Sequence, residues 1–269
     1  MRFINGGTRL KILGSIVVGC AVLAGTAVSQ ASNGQNIYAV SGTLPSVLYN
    51  VNVLPSGTDT VIGPVTGAFT QLDIAATSAH PSGTLYGIDA TALYTIDGAT
   101  GAATVVAPLT PPTFINALAF DKDGNLYGAS GNNIYTINTQ TGAVILVGAM
   151  GSGFGSSGDI AFAPNGALYG SVFAPLSANN VLVQINPATG AATRVLPKAK
   201  NGSTDLGSPN VFGLAFVGGK LYGLTNSAPA GHPECAGGAV LRIDTNSSSK
   251  AGSAEFERCL SFNTNGGAS

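Results

Sequence analysis

One short pattern of apolar runs and polar turns recurs along most of the chain, and this repeat limits its fold more than any other feature. The copy over residues 114–149 contains four short runs that are rich in β-branched and aromatic side chains. Turns of Gly, Asn and Asp separate these runs, a pattern typical of β-strands in hairpins. None of the runs is long enough to carry a helical stripe. The unit is therefore predicted to be a four-stranded antiparallel sheet.

A tyrosine in the second run marks each copy. These residues are Tyr38, Tyr86, Tyr127, Tyr169 and Tyr222, which lie 48, 41, 42 and 53 residues apart. Four of them belong to Leu-Tyr-Gly and the first belongs to Ile-Tyr-Ala. A period near 40–45 residues with four strands per copy is the signature of β-propeller blades. The sequence thus predicts an all-β protein, a single five-bladed β-propeller of four-stranded antiparallel blades.

The two ends of the repeat region complement each other. The first copy lacks a first strand, whereas residues 260–266 read Leu-Ser-Phe-Asn-Thr-Asn-Gly and align with residues 118–124 of the third copy. Pairing residues 260–262 beside residues 37–40 would leave the innermost strands no exposed edge. We therefore expect the ring to be closed by the C-terminal strand.

The N-terminal end has the features of a secretory signal peptide over residues 1–31. Three basic residues precede an apolar run over residues 12–28, and Ser-Gln-Ala ends at residue 31. Residues 32–269 would then form the propeller domain. Lipid attachment at Cys20 is an alternative, because Val-Val-Gly-Cys resembles a bacterial lipobox. The mature chain is expected to have no transmembrane span and to be secreted, periplasmic or at the cell surface.

The charge balance excludes one class of partner. The chain has 11 Lys and Arg against 12 Asp and Glu, and three of the basic residues lie in the signal segment. A mature chain with a net negative charge has no basic surface for nucleic acid. Charged residues are only 9% of the sequence while Gly, Ala and Thr are abundant, which also fits a structural envelope or matrix component.

Two cysteines remain after the signal segment. Export favours a disulfide between Cys235 and Cys259. In a propeller, the loops between second and third strands share a face with the connections between blades. The repeat places Cys235 in such a loop and Cys259 at the start of the closing strand beside it. The bridge would close the ring near its two ends. Two free buried thiols are the alternative.

The predicted loops differ in length between the two faces of the ring. Longer segments alternate with short Gly-rich turns, and binding residues tend to lie on variable loops held by a rigid scaffold. We therefore expect a ligand-binding site on the face with the longer loops. Its candidate residues are Phe173, Lys198, Lys200, Asp205 and His232.

Two carboxylates occupy equivalent places at the start of innermost strands. Asp73 and Asp159 would lie near the mouth of the central channel, where they could hold a divalent cation. Hydrogen bonds to nearby backbone amides are the alternative for both. No other cofactor is indicated, and the sequence contains no Gly-x-Ser-x-Gly, His-Glu-x-x-His or P-loop motif.

The motif Leu-Ala-Phe-Asp-Lys-Asp-Gly-Asn-Leu-Tyr-Gly, followed by Ile-Tyr-Thr-Ile-Asn-x-x-Thr-Gly, resembles secreted bacterial propeller repeats of the NHL/quinoprotein-dehydrogenase-like superfamily type. The resemblance covers about residues 36–266. It implies a blade and no particular activity, because relatives include lyases, lactonases, dehydrogenases and binding proteins. The absence of Trp argues against WD40 repeats and against the tryptophan-docking blades of quinone-dependent dehydrogenases.

Three functional hypotheses follow. The first is an exported, non-catalytic binding module whose long-loop face contacts a glycan, a peptide or a surface protein. The second is a metal-assisted hydrolase or lyase with Asp73, Asp159 and His232 at the channel mouth. The third is a purely structural component of an envelope or matrix.

Overall fold

A computed structural model of the chain describes residues 35–41, 44–67, 74, 76–196, 205–246 and 250–262. The predicted signal segment, Cys20, Asp73, Lys198 and Lys200 lie outside these residues. Within them the chain forms 19 β-strands and no helix. The same residues therefore contain no helical segment of the length and hydropathy that crossing a bilayer requires.

The strands form five antiparallel sheets, which we number as blades in chain order. Blade 1 has β1 (Asn36–Val40), β2 (Val47–Asn52) and β3 (Asp59–Pro64). Blade 2 has β4 (Ala76–Ala79), β5 (Leu85–Ile88), β6 (Ala92–Ile96) and β7 (Ala103–Pro108). Blade 3 has β8 (Ala117–Phe120), β9 (Leu126–Ser130), β10 (Asn133–Ile137) and β11 (Val144–Ala149). Blade 4 has β12 (Gly155–Phe162), β13 (Leu168–Phe173), β14 (Val181–Ile185) and β15 (Ala192–Arg194). Blade 5 has β16 (Val211–Val217), β17 (Lys220–Thr225), β18 (Ala239–Ile243) and β19 (Ala254–Cys259).

The blades are arranged in a ring. The first strands of blades 2 to 5 contact one another in sequence, and β1 contacts both β16 and β4. Five hydrophobic clusters fill the five spaces between neighbouring blades, including the one between blade 5 and blade 1. Burial of both faces of each sheet is what holds a propeller together, because a single four-stranded sheet has no core of its own. The predicted five-bladed, all-β architecture is confirmed.

The repeated tyrosine has a packing role at these interfaces. Its ring contacts a phenylalanine from the first strand of the next blade in three successive interfaces. The ring-centroid distances are 5.2 Å for Tyr86 and Phe120, 5.2 Å for Tyr127 and Phe162, and 5.8 Å for Tyr169 and Phe216. Tilted and edge-to-face contacts of this kind add to the energy of simple burial. The motif that marks each blade in the sequence therefore also joins it to the following blade.

The C-terminal end of the described chain contacts blade 1, but it does so without the predicted strand pairing. β19 continues to Cys259, which pairs with Ala239, and residues 260–262 do not form a strand. They lie against blade 1 near its outer strands, where the ring of Phe262 stacks on Tyr49 at 3.7 Å. Within the described residues β1 pairs with β2 alone. The predicted pairing of residues 260–262 beside residues 37–40 is therefore not formed.

Candidate functional site

The direction of the strands divides the loops between two faces of the ring. Strands alternate in direction within each blade, so the loops between second and third strands open on the same face as the connections between blades. We call this the long-loop face, and its longest fully described segments are residues 109–116, 174–180 and 226–238. The opposite short-turn face carries tight turns such as residues 121–125.

Exposed apolar side chains distinguish the two faces. Among the described residues, five large apolar side chains on the long-loop face are exposed, and none on the short-turn face is. These five are Leu44, Phe114, Phe173, Leu176 and Leu196. The other exposed large apolar residues lie on the outer strands β3, β7 and β11. Interaction sites are marked by neighbouring exposed apolar side chains, and Phe173 and Leu176 lie three residues apart at one loop.

Loop 174–180 presents the most exposed of these residues. The amide of Ser177 donates to the carbonyl of Ala174 at 3.2 Å, and Leu176 has φ of 61°. With Pro175 in the second position, this is a type II turn, whose third position normally holds Gly because it requires a positive φ. Leucine in the left-handed region costs about 1–2 kcal/mol. The fold thus holds a fully exposed leucine in an unfavourable backbone conformation.

Both ends of this loop are anchored. Pro175 lies against the connection from blade 3, where a Cβ added to Gly153 would come within 2.8 Å of the proline ring. At the other end Asn180 is buried, and its Oδ1 accepts hydrogen bonds from Ser157 Oγ and from the amide of Val211, each at 2.7 Å. The tip that carries Leu176 is therefore supported by blades 3, 4 and 5.

Two of the predicted ligand-binding residues lie beside this loop. Phe173 ends β13 and is half-exposed. Asp205 accepts a hydrogen bond from Asn179 Nδ2 at 3.3 Å and another from the amide of Gly207 at 2.9 Å. The structure therefore brings an apolar pair, Phe173 and Leu176, and a polar pair, Asn179 and Asp205, to one loop. The predicted partners Lys198 and Lys200 lie outside the described residues.

His232 belongs to a separate group at the outer edge of blade 5. Its ring stacks on Phe256 at a centroid distance of 3.6 Å, and its Nδ1 lies 3.0 Å from Glu234 Oε1. A backbone hydrogen bond and the contact with His232 both lower the pKa of the exposed Glu234. No contact described in the structure joins this group to loop 174–180.

The predicted disulfide is present between Cys235 and Cys259, with their Cα atoms 4.9 Å apart. It connects the loop that contains His232 to the end of β19. Glu234 and the two cysteines are also the only grouping of three potential metal ligands in the described part of the chain. Because both sulfur atoms form the disulfide, neither is available as a thiolate ligand.

Asp159 lies in the innermost strand of blade 4 and has no exposed surface. Its carboxylate accepts the amide hydrogens of Ile160 at 2.9 Å and of Leu214 at 2.8 Å. Burial raises the pKa of Asp159 well above its ordinary value, and hydrogen bonds from three backbone amides oppose this rise. The second predicted metal ligand, Asp73, lies outside the described residues.

Sequence reasoning missed Leu176. A leucine in a loop carries no chemical signal, and its importance depends on a backbone dihedral angle. The sequence Ala-Pro-Leu-Ser does indicate a turn through its proline, but the third turn position lacks the Gly or Asn that would have indicated type II.

Comparisons with known proteins agree with the fold. Residues 109–227, from the end of blade 2 into blade 5, match a family model described as a repeat of unknown function, DUF6923. A comparison with curated protein sequences finds no match. The predicted resemblance to the NHL/quinoprotein-dehydrogenase-like type is compatible with these findings and stays a prediction.

Two solved structures that resemble the chain share less than 20% identity with it, so they support the fold alone. One is a structural genomics protein of unknown function from Bacteroides thetaiotaomicron VPI-5482, with 18% identity, a TM-score of 0.50 and coverage of 81% of this chain. This chain spans only 55% of that protein's length. Another is an α-L-arabinofuranosidase from Clostridium thermocellum ATCC 27405, with 15% identity, a TM-score of 0.55 and coverage of 88% of this chain and 95% of that one.

Proposed function

We propose that this propeller is an exported, non-catalytic binding module that holds a protein or peptide partner on its long-loop face. Loop 174–180 and the adjoining Phe173 form the centre of the proposed contact. The observation that carries the proposal is Leu176, which is fully exposed at a positive φ in a turn anchored by neighbouring blades. Strain of this kind persists where the surrounding structure enforces it, and it is found at sites that bind ligands.

The chemistry of the loop favours a protein surface over a glycan. Phe173 and Leu176 offer an apolar centre, and Asn179 with Asp205 offers hydrogen-bonding groups at its edge. An apolar anchor with a polar rim is the usual anatomy of a protein–protein contact. The most exposed side chain of this centre, Leu176, is aliphatic and offers no flat aromatic face to a sugar.

A glycosidase-like activity, which the arabinofuranosidase neighbour brings to mind, has less support. Glycoside hydrolysis uses two carboxyl groups that flank the scissile bond. Two carboxylates of the long-loop side, those of Asp89 and Asp159, are engaged locally: Asp89 accepts from Thr91 and Tyr94, and Asp159 is buried against amides. These contacts favour structural roles for both groups.

Two variants test the proposal. Leu176→Gly removes the side chain and introduces glycine, the residue that a positive φ favours. The variant should therefore lose binding without losing stability. Phe173→Ser removes the neighbouring ring. Val105→Thr, at an exposed position on the outer strand β7, is the matched control.

The mature protein is used to select binders from a displayed peptide library, and their affinities are measured by calorimetry. We expect both loop variants to bind selected peptides at least about tenfold more weakly, with Leu176→Gly as heat-stable as the wild type and Val105→Thr unchanged. Selected peptides that bind all four proteins equally would show that the contact is elsewhere.

A further inference from the structure

Three equivalent backbone amides converge on the carboxylate of Asp159. The amide nitrogens of Ile160 and Leu214 lie 2.9 and 2.8 Å from its oxygens, and the amide of Leu118 is the weakest of the three backbone donors that lower its pKa. These amides come from the innermost strands of blades 4, 5 and 3. One side chain therefore contacts three consecutive blades where their first strands meet.

The register of the strands shows that these amides occupy the same level of the ring. Leu118, Ile160 and Leu214 each pair with the glycine of a Leu-Tyr-Gly motif in the second strand of their blade. In blades 3 to 5 the repeat thus directs one amide toward the interior at this level. Several N–H groups aimed at one point attract a negatively charged acceptor.

Close approach of two strands makes this convergence possible. A bulge in β12 lies between Ser156 and Asp159, and a Cβ on Gly158 would come within 2.7 Å of the Phe212 side chain in β16. The positions equivalent to Asp159 in β8 and β16 hold the small residues Ala117 and Gly213. Space for a single carboxylate is therefore provided by glycine and alanine from the neighbouring strands.

We propose that these amides form a carboxylate-binding cradle in the interior of the ring, and that Asp159 fills it as a built-in ligand. Removal of the Asp159 side chain leaves a site for one small monocarboxylate, such as acetate, which has the size of the lost group. The cradle is independent of the binding proposed for loop 174–180. The donors around Asp159 offset part of the cost of burying its carboxyl group, although burial still raises its pKa.

Chemical rescue tests the cradle. Asp159→Gly removes the carboxylate and its methylene group, whereas Asp159→Asn removes the charge and leaves the cradle filled. Thermal unfolding of both variants and of the wild type is followed with increasing sodium acetate, against sodium chloride at the same ionic strength. We expect acetate to raise the Tm of Asp159→Gly saturably by at least about 3 °C, with no acetate-specific rise for the other two proteins.

The same test works where Asp159→Gly does not fold unaided. The variant is then refolded from urea with acetate or chloride, and the yield of folded protein is measured by near-UV circular dichroism. A yield that is several-fold higher in acetate supports the cradle. An equal yield in both salts, or a Tm response that matches the wild type's, overturns it. Neither outcome of this test bears on peptide binding at loop 174–180, which is measured with the wild type and Leu176→Gly. Either proposal can therefore fail without the other.

Discussion

Arg258 in the last strand and Asp59 in the first blade form a bidentate ion pair across 199 residues of sequence. Their side chains are only 9% and 1% exposed. Arg258 also donates to the carbonyls of Asn52 and Cys259, and the amide of Ser261 donates to Asp59 at 2.6 Å. Every donor of the guanidinium group is satisfied, which is the condition under which a buried pair is tolerated. This contact joins the outer strands of blades 5 and 1.

Removal of one member of this pair should weaken the whole ring. Arg258→Met leaves Asp59 buried without its partner, and a loss of about 3–5 kcal/mol in the free energy of unfolding is expected. Arg258→Lys should also destabilise, because lysine cannot reproduce the bidentate contact. Urea unfolding followed by circular dichroism measures both.

Arg242 supplies the matched control for that experiment. It pairs with Glu255 and Glu257 in the same blade, but its side chain is 40% exposed. Arg242→Met should therefore cost less than about 1 kcal/mol. Equal losses for the two methionine variants would contradict a special role for Arg258 in closing the ring.

The glycine of Leu-Tyr-Gly is explained by the residue that packs over it. A Cβ added to Gly87 would lie 2.6 Å from Cδ1 of Ile96, and the corresponding glycines of blades 3 to 5 meet an isoleucine Cδ1 at 2.9 to 3.0 Å. Blade 1 has Ala39 at this position, and Val51, which lacks that terminal methyl group, takes the place of the isoleucine. The two positions thus vary together within the chain.

Gly87→Ala should therefore destabilise the protein, and a second substitution should restore it. The added methyl group overlaps Ile96 Cδ1, and overpacking of this kind costs about 1–3 kcal/mol. Ile96→Val removes that atom, so the double variant should be more stable than the sum of the single effects by at least about 1 kcal/mol. A double-mutant cycle in urea checks this coupling, and strict additivity of the two changes would disprove the explanation.

The blade repeat could be predicted from the sequence because it depends on local signals. Tyrosine, glycine and turn residues recur at fixed places, and each acts on a neighbour in the same blade or the next. The closing segment could not be predicted in the same way. The likeness of residues 260–266 to residues 118–124 indicated a strand, but Cys259 is still paired in β19, so the chain has not yet left the outer edge of blade 5.

The sequence also did not predict features that depend on long-range contacts or on backbone conformation. Neither Asp59 nor Arg258 carries a motif, and their pairing depends on which blades meet at the ends of the chain. Leu176 is significant through its φ and its exposure, which no residue type encodes. Asp159 was predicted to lie in an innermost strand, and the sequence left open whether it binds a cation or backbone amides. The structure shows the amide donors, and cation binding stays a prediction.

Loss of the disulfide should destabilise the protein through the unfolded state. Cys235 and Cys259 are separated by 24 residues, and in the chain-entropy model closing a loop of this length contributes about 3 kcal/mol. A Cys235→Ser, Cys259→Ser double variant should lose about this amount in urea unfolding. Dithiothreitol should have the same effect on the wild type and none on the double variant. A variant as stable as the oxidised wild type would contradict the prediction.

The stability that Asp159 contributes should depend on pH in the direction opposite to that of an exposed aspartate. Burial raises the pKa of Asp159 in the folded protein, so the folded state binds the proton more tightly than the unfolded state. Its contribution is fully present below the unfolded pKa, near 3.9, and is lost as the pH rises through the folded value. The difference in unfolding free energy between wild type and Asp159→Asn should therefore fall as the pH rises above the unfolded pKa.

Asp97 provides a control whose contribution to stability should change with pH in the opposite direction. Hydrogen bonds from the amide of Ala99 and from Thr100 lower its pKa in an exposed turn, so its contribution is present above the unfolded pKa and is lost as the pH falls through the folded one. The difference between wild type and Asp97→Asn should therefore rise with pH over the acidic range. Urea unfolding of the three proteins at a series of pH values gives both slopes. A flat or rising difference for Asp159→Asn would mean that the three amides outweigh the cost of burying the carboxylate.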